Sequence, residues 1–256
     1  MADAGYTPDP WQRDLLRSDA RRVLLLTCRQ AGKSTTAGFL ALKETLLNPG
    51  LTALVVSPSQ RQSAELFRRT MDAFNRLGRL AGVRAESALR VEFANRSRVI
   101  SLPASEGGIR GFTAGLVILD EAARIPDPLV AAVRPMLSTT GGKLVCLSTA
   151  FAKSGFFYDQ WVGAEQWQRV RVTAAMNPRI TPEFLAEERR VLGPRWFAME
   201  YECVFGDDVA AVFSTEDVRA AMDGTLQPLF RVAPACVGLS VPPDPSVTTL
   251  FTRSVS

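Results

Sequence analysis

Histidine is absent from the 256 residues of this chain. That gap alone removes Ser-His-Asp triads, HExxH zinc sites and Cys2His2 fingers. Cysteine is scarce: Cys28, Cys146, Cys203 and Cys236 are present, with no CxxC pair. Such usage fits reduced thiols in a cytoplasm rather than a disulfide framework. No uninterrupted apolar run reaches the length of a membrane span. The N-terminus, MADAGYTPDPWQRD, lacks the basic-then-apolar layout of a secretory signal. No internal repeat is visible. The remaining chemistry must rest on Asp, Glu, Lys, Arg, Ser and Thr, with any metal held by oxygen.

Hydrophobic residues make up 46% of the chain, enough for one substantial core or one core with a small appendage. The formal net charge of +4 is compatible with a polyanionic partner without demanding one. Arginine pairs occur at Arg21-Arg22, Arg68-Arg69 and Arg189-Arg190, where solvated helix faces are the simple explanation.

Apolar runs ending at polar turns predict buried strands at 22–28, 52–57, 116–121 and 143–149, with 168–173 as the last strand of the sheet. Two short strands, 89–94 and 98–102, flank the turn Asn95-Arg96-Ser97. Helical spacing predicts helices over 33–47, stopped by Asn48-Pro49-Gly50, and over 60–77, with Ala64, Phe67, Met71 and Phe74 on one face. Apolar strands alternating with helices indicate a mostly parallel sheet covered on both faces. After Met176-Asn177-Pro178 the pattern changes, and 182–203 reads as helix. The expected organisation is therefore an α/β core over 1–176, a helical lid over 177–222, and a segment 223–256 that starts as a linker and holds one more strand at 236–241.

The phrase VLLLTCRQAGKSTT runs a strand into a loop, with Gly32-Lys33-Ser34 opening a helix. A P-loop is built this way. Backbone N–H groups at a helix N-terminus surround phosphates, lysine reaches the outer oxygens, and the serine hydroxyl binds Mg²⁺. The full pattern asks for glycine at position 27, where this chain has Thr27. A bare GK[ST] arises by chance in about one in ten chains of this length, so context decides. The preceding apolar strand and following helix supply part of it. Leu116-Val117-Ile118-Leu119-Asp120-Glu121 supplies the rest. An aspartate at the end of a buried strand assists Mg²⁺ in P-loop hydrolases, and the adjacent glutamate can polarise the attacking water.

The stretch Thr27-Cys28-Arg29-Gln30-Ala31-Gly32-Lys33-Ser34 resembles the deviant P-loop of large terminase subunits, the motors that package viral DNA. Further matches follow in order: Trp11-Gln12, placed like the family's adenine-sensing segment, then Ile109-Arg110-Gly111, LVILDEA, Ser148-Thr149-Ala150 and the stretch 187–205. The resemblance spans about residues 8–210 and implies a RecA-like (ASCE) P-loop NTPase fold with a helical lid. It implies ATP binding by Gln12, Thr27, Cys28, Arg29, Gln30, Ala31, Gly32, Lys33, Ser34 and Thr35, with Mg²⁺ at Ser34 and Asp120. Glu121 becomes the catalytic base, Lys33 and Arg29 the phosphate contacts, and Arg110 an arginine finger offered to a neighbouring subunit. Ser148 and Thr149 become the coupling motif. Plainer roles stand beside these: a sheet-edge salt bridge for Arg110, a core anchor for Trp11, strand-end hydroxyls for Ser148 and Thr149, and a packed side chain for Cys28. A second idea for Cys28 is that modifying its thiol blocks nucleotide binding. Implied partners are double-stranded DNA, further copies in a ring (a pentamer), a portal and a small terminase subunit, in the cytoplasm of an infected bacterial host.

Full-length large terminases continue into a nuclease whose first strand ends in a metal-binding aspartate. Here Val237-Gly238-Leu239-Ser240-Val241 ends with serine near that position, and few residues follow. A two-metal site needs several carboxylates, so no nuclease activity is expected. A helicase-like ATPase and a non-catalytic nucleotide-binding remnant are the competing functions. The absence of a DExH/DExD box counts against the first. Intact Lys33, Ser34, Asp120 and Glu121 count against the second.

Overall fold

Four strands owe their burial to nearly unbroken apolar runs: β1 (Arg22–Thr27), β2 (Thr52–Ser57), β6 (Leu116–Asp120) and β7 (Lys143–Ser148). Runs without alternation need cover on both faces, as in parallel sheets. The computed structural model supplies it, and describes residues 1–105, 109, 111–207 and the backbone of 237–240 and 249–252. Eight strands pair in the order β3-β4-β5-β2-β6-β7-β1-β8, where β3 is Val83–Ser87, β4 Arg90–Phe93, β5 Arg98–Pro103 and β8 Gln168–Val172. All neighbours from β5 to β8 in that order run parallel, and the pairs β3–β4 and β4–β5 are antiparallel. The mostly parallel α/β architecture is thus the observed one.

The two sheet edges, β3 and β8, are largely exposed. Arg84, Glu86, Arg169 and Arg171 stand on them, charges that discourage further strand pairing. β3 lacks the apolar alternation that betrays a strand, and so escapes a pattern-based reading.

The helices are α1 (Pro10–Arg17), α2 (Lys33–Leu47), α3 (Gln60–Arg76), α4 (Asp127–Val133), α5 (Gly155–Val162) and α6 (Pro182–Tyr201). α2 and α3 pack closely because Gly38 has no Cβ. One placed there would lie 2.9 Å from Thr70 Oγ1 and 3.2 Å from Thr70 Cα. Phe74 of α3 meets Phe93 of β4 edge-on at 5.1 Å in the core. α6 is capped by Thr181, whose Oγ1 accepts from Phe184 N–H at 3.3 Å, and is kinked at Gly193-Pro194.

The chain divides into two compact units, Met1–Ala211 and Val212–Ser256. The first takes in most of the stretch read as a lid. In the second, β9 (Val237–Ser240) pairs antiparallel with β10 (Thr249–Thr252), a strand the sequence pattern did not reveal. The linker stretch 223–235, Arg110 and the glycines at 107–108 lie outside the described residues.

Candidate nucleotide site

Parallel strands β1, β6 and β7 all point their C-terminal ends to one edge of the sheet, where α/β folds gather ligands. β1 delivers the loop 28–32, β6 the acids and β7 the hydroxyls Ser148 and Thr149. Thr27 still belongs to extended β1 and is buried. Its backbone needs no left-handed conformation, which is why glycine is dispensable there. Gly32 does need one: its φ is 91°, and an added Cβ would lie 2.9 Å from Gln12 Nε2. Gln30 also adopts positive φ, at 60°.

Lys33 Nζ lies 2.9 Å from Glu121 Oε1, with both side chains largely buried. Glu121 sits just beyond β6 in a left-handed backbone conformation (φ 51°, ψ 45°). Such strain in a non-glycine residue is concentrated at functional sites. Thr149 Oγ1 donates to Glu121 Oε2 at 3.4 Å, and Ser148 Oγ accepts from Ala123 N–H at 3.2 Å. The end of β7 therefore grips the turn that carries the acids. Burial pushes the Glu121 carboxyl up. The Lys33 ammonium, by charge and hydrogen bond, with the Thr149 backbone and Arg124 adding to it, brings it net below its ordinary value.

Asp120 differs. Burial first, and then the neighbouring Glu121 carboxylate, push its pKa up to about 6, against the lowering pull of Lys33 and Arg69. Its Oδ1 is buried without a hydrogen-bond partner. An orphaned carboxylate oxygen of this kind fits a cation. Among the described residues no cluster of three or more His, Cys, Asp or Glu could hold a metal ion. The donor set suits Mg²⁺, which binds through one or two protein oxygens and completes its shell with phosphates and water.

Two adjoining clefts surround Lys33. One, of about 310 Å³, is lined by residues 30–35 and Arg69. The other, of about 460 Å³, is bounded by Arg29, Gln30, Lys33, Gln62, Glu121, Arg124 and Thr149. These sizes suit a phosphate chain. Arg69, Gln62 and Arg124 escape sequence reading because helix periodicity gives no hint of which face meets the loop. Arg124 is further held over the Phe151 ring at 4.3 Å.

Residues 24–220 match the family described as "Terminase large subunit, T4likevirus-type, N-terminal". This chain belongs to that family. The large terminase subunit of Thermus phage G20c is 28% identical over 173 residues, covering 60% of this chain and 36% of the relative. That of Escherichia phage T5 is 26% identical over 231 residues, covering 84% and 52%. The chain thus spans about a third to a half of the length of these relatives. The Thermus phage P74-26 large terminase ATPase domain superposes with a TM-score of 0.70 at 24% identity, covering 80% of this chain and 96% of that one. A thermophilic bacteriophage large terminase solved in complex with ATP-γ-S gives 0.62 at 14%, covering 77% and 53%. At such identities these likenesses establish the fold.

Two residues of the loop are engaged within the fold. Arg29 Nε donates to Glu200 Oε2 of α6 at 2.8 Å, and the arginine side chain is 63% exposed. Nothing local to Arg29 marks a partner so far along the chain. Cys28 is fully buried, and burial, partly offset by Lys33, pushes its thiol up. Since the thiolate is the reactive form, iodoacetamide should leave Cys28 unmodified in the folded domain. Peptide mass mapping should find it alkylated only after denaturation.

Proposed function

We propose that this terminase domain hydrolyses ATP and uses the cycle to drive double-stranded DNA into a viral capsid. The observation that carries the reading is the meeting of Lys33 and Glu121 at 2.9 Å, beside the orphaned carboxylate oxygen of Asp120. Lys33 and Glu121 line one cleft, which supports reading them as a phosphate-binding lysine and a base for water. The nucleotide complex of the thermophilic-phage relative supports the same reading.

In this mechanism the N–H groups of residues 30–35 and the Lys33 ammonium hold the phosphates. Glu121, fixed by Lys33 and Thr149, accepts the proton of the attacking water. Ser34 and Asp120 would hold Mg²⁺, which when bound neutralises charge building on the phosphate oxygens. Thr149 and Ser148 carry the state of the acid turn into β7. Arg110 acts across a subunit boundary in a homo-oligomeric ring, a pentamer by family resemblance. The portal, the small terminase subunit and the host cytoplasm follow from the same resemblance. DNA contacts are to phosphates, hence sequence-blind and salt-sensitive. No helix among the described residues is long and apolar enough to cross a membrane.

The test is Mg²⁺-dependent ATP hydrolysis by the assembled chain. Arg110→Ala and Glu121→Ala are each expected to be inactive alone. Mixed, they regain part of the rate, because one supplies an intact base and the other an intact finger. Absence of recovery, with both proteins folded and assembled, places the finger within its own subunit. Absence of hydrolysis by the unmodified assembly refutes the ATPase reading itself.

A further inference from the structure

The family resemblance assigns Gln12 to the adenine ring, but its polar atoms are engaged elsewhere. Gln12 is 4% exposed. Its Oε1 accepts from Asp9 N–H at 2.9 Å, and its Nε2 donates to Thr36 Oγ1 at 2.9 Å. Thr36 Oγ1 in turn donates to the Gly32 carbonyl at 3.0 Å. The same amide nitrogen lies against the open face of Gly32, where a Cβ would meet it at 2.9 Å. Gln12 is thus a buried strut between the start of α1 and the glycine that opens the phosphate loop onto α2.

The strut is anchored from a third element. Arg179 forks onto the Asp9 carboxylate, Nη1 to Oδ1 at 3.1 Å and Nη2 to Oδ2 at 2.6 Å. Its own N–H donates to Asn177 Oδ1 at 3.1 Å, and Asn177 Nδ2 donates to the Gln30 carbonyl at 3.3 Å. The turn after β8 therefore reaches the loop by two routes. One runs through Asp9, Gln12 and Thr36 to Gly32, the other through Asn177 to Gln30. Asp9, Gln12, Thr36 and Asn177 are all buried, and buried polar networks with every member paired hold a unique geometry. Swinging Gln12 toward a base would break both of its buried hydrogen bonds and take the acceptor from the buried Asp9 N–H.

We propose that Gln12 is a positioning residue for the phosphate loop, set by the Arg179–Asp9 fork, and that it does not read the base. The proposal rests on the nucleotide reading of the loop and concerns how that site is shaped. Its test measures affinities of the full chain for Mg·ATP, Mg·GTP and inorganic tripolyphosphate. Gln12→Ala weakens all three by one common factor, about tenfold for loss of a buried hydrogen-bonded strut, and leaves the ATP/GTP ratio unchanged. Arg179→Ala shows the same signature, and the double variant is no weaker than Gln12→Ala, because the two act in series. Arg179→Lys, altered at a half-exposed head group, keeps the fold and shows a smaller uniform loss. A collapse of the ATP/GTP ratio with tripolyphosphate affinity intact makes Gln12 a base reader and overturns the proposal. Additive losses remove the relay. An unmodified chain that binds none of the three ligands defeats the nucleotide reading, and this proposal with it.

Discussion

ATP turnover falls by about 10²–10⁴-fold when Glu121 is replaced by glutamine, the range expected for losing a positioned general base. Nucleotide affinity changes little. Glutamine keeps the shape of the side chain: its one carbonyl oxygen can accept from Lys33, and its amide N–H can donate to the Thr149 hydroxyl, so both groups that hold Glu121 in place still find a partner. What it loses is the carboxylate, which alone can take a proton from water. Single-turnover hydrolysis and equilibrium nucleotide binding, measured on the same assembled protein, separate the two effects. A glutamine variant with full turnover would remove Glu121 from the chemistry. Equal loss of binding and turnover would make it a structural partner of Lys33.

Asp120→Asn separates metal binding from stability, and the two move in opposite directions. The folded chain holds the Asp120 proton up to about pH 6, while an ordinary carboxyl releases it near 3.8. Between those values the folded state binds more protons, so stability falls as pH rises. The loss is complete above about pH 6 and amounts to about 3 kcal/mol at 1.36 kcal/mol per pH unit. Asparagine carries no such charge. At pH 8, with Mg²⁺ and nucleotide left out, the variant is expected to melt about 5–10 °C above the unmodified domain. Near pH 3 the advantage vanishes. Added Mg·ATP should reverse the order, raising the melting temperature of the unmodified domain by mass action and leaving the variant nearly unmoved. Scanning calorimetry across pH with and without Mg·ATP reads both. A variant less stable at pH 8, or one stabilised by Mg·ATP as fully as the parent, contradicts this account of Asp120.

The central strands and long helices were legible because burial writes itself into composition. LVILD and TALVVS have no solvent face, and α3 repeats its apolar side at helical spacing. The meeting of the loop after β1 with Asp120 and Glu121 was legible because a P-loop pattern asks for particular residue types at fixed places on a strand–loop–helix. Exposure hid β3, whose surface strand carries no apolar period. Brevity hid α1, α4 and α5, which take their stability from packing rather than propensity. The partners Glu200 for Arg29 and Arg179 for Asp9 lie more than a hundred residues away, and no local pattern encodes such distances. The reciprocal contact of Asp9 and Gln12 did have a local signature, the capping-box spacing at a helix start. It was obscured because the same glutamine also fits a nucleotide-binding motif.

The placement of β7 between β1 and β6 has a mechanical consequence. Two interstrand spacings, roughly 10 Å, separate the strand that feeds the loop from the strand that ends in the acids. Lys33 bridges that gap, and its ammonium rests on Glu121. On the reading proposed above, the base would then carry its own safety catch: an arriving phosphate would have to pull the lysine aside before Glu121 is released for work. A nucleotide-bound structure in which Lys33 still gripped Glu121 as tightly would show that no such catch exists.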